Sequence, residues 1–60
     1  HVLDLVVGQR LRIFTGPLRG LKGTFVARRL GGILLIQAGS GTYVEVSEFC
    51  VKPEGGTGHA

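Results

Sequence analysis

Residues 9–37 read QRLRIFTGPLRGLKGTFVARRLGGILLIQ, a stretch in which glycines and a Gly-Pro step separate short apolar segments. At its start Leu11 and Ile13 alternate with arginines, which is the period of a half-buried strand. The Gly-Pro step and Gly31-Gly32 favour turns, because proline fixes φ and glycine adopts positive φ at little steric cost. The stretch therefore predicts three strands, over residues 9–14, 22–29 and 33–37.

The remaining residues continue this pattern towards the C-terminus. Gly39-Ser40-Gly41 predicts a second hairpin connection, and residues 42–46 alternate with Val44 and Val46 pointing inward. Residues 49–52 predict a short final strand or extended segment. Strands joined in this way favour a small barrel or sandwich, and closing the sheet into a barrel shields its edges. We expect an all-β fold with a linker over 1–8, a barrel over 9–53 and a disordered tail over 54–60.

Composition indicates one small folded domain. The chain has 60 residues, of which 43% are hydrophobic and 18% charged, so it is too apolar for a disordered segment but can bury only a thin core. Seven Lys and Arg against four Asp and Glu give a formal net charge of +3. This excess favours weak contact with RNA or with an acidic protein surface. A mildly basic surface that is simply solvated would have the same net charge.

Little in the sequence points to chemistry. Cys50 is the one cysteine, so no disulfide within the chain and no zinc site of the paired-cysteine type is expected, and a lone thiol suits a reducing cytoplasm. His1 and His59 lie near opposite termini. There is no recognisable nucleophile setting, no assignable pair of carboxylates and no phosphate loop. We therefore expect a protein that is not an enzyme and has neither a cofactor nor a metal.

The arrangement around the Gly-Pro step resembles a KOW motif. The motif residues are Gly16, Pro17, Gly20 and Gly23, set between the strand GQRLRI and the segment Thr24-Phe25-Val26. Gly39, Val44-Glu45-Val46 and Val51-Lys52-Pro53 are similar to the closing strands of C-terminal domains in NusG-family transcription elongation and antitermination factors. The resemblance covers about Leu5 to Glu54 and is nearer to specialised antiterminators such as UpxY than to the housekeeping factor. It implies a five-stranded SH3-like barrel.

The same resemblance implies a recruiting function. In this family a separate N-terminal domain binds RNA polymerase, and a flexible linker carries the KOW barrel, which recruits a second protein. That protein is the small-subunit ribosomal protein NusE or the termination factor Rho. The chain is thus expected to be a bacterial, cytoplasmic, monomeric and non-catalytic module, preceded in its full-length protein by a polymerase-binding domain.

The family's partner-binding positions can be carried over by alignment of the motifs. An apolar position in the Gly-Pro loop falls on Leu18, for which capping of the barrel is the alternative role. An apolar-aromatic-Gly-Arg segment in the hairpin before the fourth strand falls on Gln37, Ala38, Gly39 and Ser40, so that the bulky apolar pair and the arginine are replaced. Aromatic residues and arginine are common at binding hot spots.

The third strand suggests a further apolar surface. If Ile33 and Leu35 face the core, Leu34 and Ile36 face outward, and with Val26 and Tyr43 they form an exposed stripe. Such a stripe would dock a partner, the N-terminal domain or a second copy in a self-associating structural domain. The alternative is scattered surface hydrophobic residues, covered in part by residues 2–7.

Direct RNA binding, as in KOW domains of ribosomal proteins, is a second functional hypothesis. Base stacking would need exposed aromatic side chains, for which Phe14 and Tyr43 are the candidates. The alternative is solvated charge. Candidate RNA contacts are Arg10, Arg12, Arg19, Lys22, Arg28 and Arg29.

Overall fold

A computed structural model describes residues 4–54, within which the fold is all-β, as predicted. His1 and His59 lie outside the described residues, as does the predicted tail beyond Glu54. None of the described helices is long and apolar enough to cross a membrane. The elements, in chain order, are β1 (Arg10–Ile13), β2 (Lys22–Arg29), β3 (Ile33–Gln37), β4 (Tyr43–Ser47), a 3₁₀ turn (Glu48–Cys50) and β5 (Val51–Pro53).

Local side-chain chemistry explains why the last strand begins later than predicted. The predicted second and third strands match β2 and β3 at both ends. The final strand begins two residues later than predicted, at Val51, because Phe49 and Cys50 belong to the 3₁₀ turn. Ser47 begins that turn, and its hydroxyl oxygen accepts a hydrogen bond of 3.1 Å from the backbone N–H of Phe49.

The five described strands form one antiparallel sheet in the order β4-β3-β2-β1-β5. Its edges, β4 and β5, are joined by the 3₁₀ turn alone. Four strand spacings of a flat sheet would separate these edges by about 19 Å. Ser47 and Val51 are four residues apart, a distance of at most about 14 Å in extended chain. The sheet must therefore curl strongly, and the described strands make a barrel-like layer whose edges are not closed by hydrogen bonds.

The core lies on the inner face of this curled sheet. β1 contributes Leu11 and Ile13, as predicted, and each of the other strands adds one or two side chains. The buried hydrophobic residues are Leu11, Ile13, Phe25, Leu34, Ile36 and Val51, and the half-buried ones packed against them are Leu5, Leu21, Val44, Val46 and Cys50. Part of the predicted linker thus contacts the barrel, since Leu5 packs on the core and the Gly8 N–H donates to the Phe25 carbonyl at 2.9 Å.

The predicted orientation of β3 is wrong. Leu34 and Ile36 are 0% and 1% exposed, so they belong to the core and not to a surface stripe. Four apolar residues in a row carry no period-two signal, and a shift of one residue exchanges the two faces. Of the predicted stripe, Tyr43 is exposed and Val26 is half-buried.

A β-bulge sets the faces of β2. Phe25 pairs with Ile36 on the core side, but the register then shifts, so that Ala27 pairs with Leu35 and Arg28 with Leu34. Residues directly opposite each other share a face. Ala27 was predicted to point inward, but it lies on the outer face with Leu35. Arg28 lies on the inner face, at the end of the sheet.

Candidate functional site

The register brings two loops to one end of the sheet. Arg12 at the end of β1 pairs with Lys22 at the start of β2, and Thr24 pairs with Gln37 at the end of β3. The β1–β2 loop (residues 14–21) and the β3–β4 hairpin (residues 38–42) consequently leave the sheet on the same side. We call this region the loop end.

The β1–β2 loop has a fixed conformation. Gly20 N–H donates to the Ile13 carbonyl at 2.7 Å, and Ile13 N–H donates to the Leu21 carbonyl at 2.8 Å. Gly16 and Gly20 have φ of +91° and +97°, which side-chain-bearing residues adopt only with strain. Leu18 lies at the outside of this loop with 37% of its surface exposed. The loop therefore holds an apolar side chain towards solvent on a hydrogen-bonded frame.

The β3–β4 hairpin exposes two of the four other carried-over positions and leaves two half-buried. Ala38 N–H donates to the Thr42 carbonyl at 2.8 Å, which closes the hairpin. Gly39 and Ser40 are exposed at its tip, whereas Gln37 and Ala38 are half-buried. Tyr43, the partner of Gln37 across the ladder, is exposed next to them. The loop end thus presents an apolar residue, a tip of small exposed residues and one aromatic ring.

A row of cations crosses the outer face beside the β1–β2 loop. Arg12 is directly opposite Lys22 of β2 on one side and Lys52 of β5 on the other, and all three residues are exposed. Arg10 lies two residues before Arg12 in β1, and therefore on the same face of the sheet. We call these four residues the basic face. Lys52 was not among the predicted contacts, although its place between Val51 and Pro53 in an alternating strand favours an outward side chain.

Acidic residues neutralise this face unevenly. Glu54 lies 3.0 Å from the Lys22 Nζ and 3.8 Å from an Arg10 guanidinium nitrogen. Lys52 Nζ lies 4.9 Å from the centroid of the Phe14 ring, within cation–π range. Arg12 and Arg19 make no ion pair with any residue from 4 to 54. The centre of the basic face and the adjoining loop therefore carry uncompensated positive charge.

A shallow cleft lies where the basic face meets the β1–β2 loop. Its volume is about 190 Å³, and its lining consists of Arg12, Ile13, Phe14, Arg19 and Gly20. Phe14 is 41% exposed. The cleft therefore lies between two arginine residues and one aromatic residue.

The six candidate RNA-contact residues do not form one surface. Arg10, Arg12, Arg19 and Lys22 lie on or beside the basic face, as described above. Arg29 instead pairs with Glu45 at 3.0 Å, across β3 on another part of the sheet. Arg28 forms an ion pair with Glu48 of the 3₁₀ turn. This separation follows from the bulge and from the position of the acidic residues, neither of which strand periodicity reports.

The Arg28–Glu48 pair is expected to stabilise the fold measurably. The Glu48 side chain is only 10% exposed, and its backbone N–H donates to the Gly32 carbonyl at 2.8 Å, so the pair anchors the 3₁₀ turn to the β2–β3 hairpin. Glu48→Gln should lower the free energy of unfolding by about 1 kcal/mol, since it leaves a partly buried guanidinium less well compensated. Urea denaturation measures this change.

Glu45→Gln is the matched control, because it removes the same charge from an exposed pair that should contribute under about 0.5 kcal/mol. Equal losses in the two variants would show that the location of the Arg28–Glu48 pair has no importance for stability.

Among residues 4–54, no three His, Cys, Asp or Glu side chains are grouped as metal ligands would be. Comparison of the chain with protein-family models, with curated proteins and with solved structures finds no match.

Proposed function

We propose that this chain is the C-terminal KOW domain of a NusG-like transcription elongation or antitermination factor. In this proposal it is a non-catalytic module that recruits a protein to RNA polymerase in the bacterial cytoplasm. The observation that carries the proposal is the loop end, where the β1–β2 loop and the β3–β4 hairpin leave the sheet together. These loops contain the positions onto which the family's partner-binding residues were carried over.

The geometry supports a docking surface of modest size at this end. Leu18 supplies an exposed apolar contact on a hydrogen-bonded loop, so little conformational entropy is lost when it is immobilised by a partner. Tyr43 adds an aromatic side chain of a type often found at hot spots. Leu34 and Ile36 are withdrawn from the proposed surface because they are buried.

The partner is a NusE-like ribosomal protein, with Rho as the other family partner to be tested. Titration of the isotope-labelled chain with each protein, followed by amide NMR shifts, tests the proposal. We expect shifts at Leu18, Gln37, Gly39, Ser40 and Tyr43, and unchanged signals at the β2–β3 hairpin around Gly31. Unchanged spectra with both proteins at high concentration would contradict it.

Leu18→Ala is expected to weaken partner binding about tenfold, the effect of losing roughly 1.4 kcal/mol at an interface position. Leu30→Ala is the matched control, because Leu30 is 97% exposed and lies in the hairpin after β2, away from the loop end. Its affinity should stay within about twofold of the unmodified chain, a difference below 0.5 kcal/mol. Calorimetric titration measures both affinities, and equal losses would argue against docking through the loop end.

A further inference from the structure

The cations at the centre of the basic face differ from those at its margin. Glu54 pairs with Lys22 and Arg10, so the margin is partly neutralised. Arg12 and Arg19 have no ion pair within the described part of the chain, residues 4–54. Both of these arginines line the cleft beside the β1–β2 loop. Two arginines at this cleft are therefore available to pair with an anion from another molecule.

Exposed apolar side chains adjoin the same two arginines. Phe14 lines the cleft and is 41% exposed, and Leu18, the residue before Arg19, is 37% exposed. A nucleic acid would use the arginines but would leave Leu18 in water. A carboxylate carried next to an apolar side chain would use both kinds of group. The surroundings of the cleft thus favour a polypeptide ligand that combines negative charge with apolar surface.

We propose that the cleft and Leu18 together bind a segment of the recruited protein in which a carboxylate lies beside a bulky apolar side chain. The carboxylate pairs with Arg12 and Arg19, and the apolar side chain packs on Phe14 and Leu18. Because it names the chemistry of the docked protein, this assignment rests on the function proposed above.

The size and chemistry of the cleft suit side chains of a protein. An arginine guanidinium is planar and donates two parallel hydrogen bonds to a carboxylate, and such charge-assisted bonds are roughly twice as strong as those between neutral groups. The volume of the cleft, about 190 Å³, is below the roughly 300–1,000 Å³ typical of sites that enclose a whole small molecule. The cleft therefore accommodates part of a docked segment and not a separate small ligand.

Hydrogen bonds hold the backbone around Leu18 and Arg19 in place without a partner. The Arg19 N–H donates to the Gly16 carbonyl at 3.1 Å, and the Leu21 N–H donates to the Leu18 carbonyl at 3.1 Å. Little backbone entropy is therefore lost when a partner contacts these residues. The two arginines add long-range attraction, which speeds association with an acidic surface at low salt.

Fluorescence anisotropy with a labelled synthetic peptide tests the proposal. The probe is an eight-residue peptide, blocked at both ends, in which two aspartates alternate with a leucine and a phenylalanine between short Gly-Ser flanks. The full 60-residue chain should bind this peptide, with affinity falling as salt rises because the ion pairs are screened. Absence of binding at millimolar concentrations would overturn the proposal.

Two control peptides separate charge from apolar contact. Asparagines in place of both aspartates keep the shape and remove the charge, whereas serines in place of leucine and phenylalanine keep the charge. Each control should bind at least tenfold more weakly than the probe. Equal affinity for the first would reduce the site to apolar docking, and equal affinity for the second would reduce it to charge attraction; either result would overturn the proposal. Tighter binding of an unstructured eight-nucleotide RNA would overturn it in favour of a nucleic-acid ligand.

Arg12→Gln and Arg19→Gln should each weaken peptide binding about tenfold, since each removes a charge-assisted contact. Arg29→Gln is the matched control, because it removes the same charge from an exposed residue that pairs with Glu45, and it should change affinity less than twofold. Unchanged thermal unfolding midpoints establish that the variants are folded. Equal losses in folded Arg12→Gln and Arg29→Gln would contradict the proposed site.

Recruitment and the carboxylate contact can fail separately. If NusE and Rho leave the NMR spectra unchanged while the peptide binds with these preferences, the proposed partners are wrong and the acidic-apolar segment stands. If NusE or Rho binds with an affinity that Arg12→Gln and Arg19→Gln leave unchanged, recruitment stands and the carboxylate contact is wrong.

Discussion

Leu34→Ala is expected to unfold a large fraction of the protein at room temperature. Leu34 is completely buried in the core, and replacing such a leucine by alanine costs about 2–5 kcal/mol through lost burial and the cavity left behind. A domain of this size seldom has more than about 3–5 kcal/mol of stability in total. Circular dichroism during urea denaturation should show a midpoint near zero denaturant.

Leu35→Ala is the control, because the same side chain is removed from the next residue of β3. Leu35 is half-buried on the outer face, so the expected loss is about 1 kcal/mol. The comparison also tests the orientation of β3. A larger loss for Leu35→Ala than for Leu34→Ala would mean that the strand faces the other way.

Gly23→Ala is expected to destabilise the protein by about 3 kcal/mol, at the upper end of the cost of overpacking a core. Gly23 is buried opposite Leu11, and a Cβ at this position would collide with the Ile36 Cγ2 and lie 2.7 Å from the Gln37 carbonyl oxygen. The carbonyl belongs to the sheet backbone and cannot rotate away as a flexible side chain would. Thermal unfolding measures the loss.

Gly20→Ala separates steric collision from backbone strain. Gly20 has φ of +97° and open space around it, so the substitution should cost about 1 kcal/mol through conformation alone. If Gly23→Ala were no more destabilising than Gly20→Ala, the close approach of β2 and β3 would not be what restricts position 23 to glycine.

Turn residues made much of the fold predictable. Glycine and proline mark the ends of β2 and β3, and alternation identified Leu11 and Ile13 as core residues. The face of β3 was not predictable because its apolar run lacks alternation. The bulge after Phe25 was likewise hidden, since it depends on how β2 changes partners from β1 to β3 and not on a local residue signal.

The candidate sites were predictable only in part. Leu18 and the arginines of β1 could be identified as exposed from the sequence. Their neighbours could not, because the opposition of Arg12 to Lys52 depends on β5 returning to β1 across forty positions of sequence. The acidic partners that remove Arg28 and Arg29 from the basic face are also distant in sequence.

The short path from Ser47 to Val51 makes the fold sensitive to chain length at that one place. Added residues there would interrupt a turn whose Glu48 N–H donates to the Gly32 carbonyl and whose Cys50 packs on the core. Residues added near Ser40 would merely enlarge an exposed tip. Tolerance of insertions therefore differs sharply between two connections of similar size.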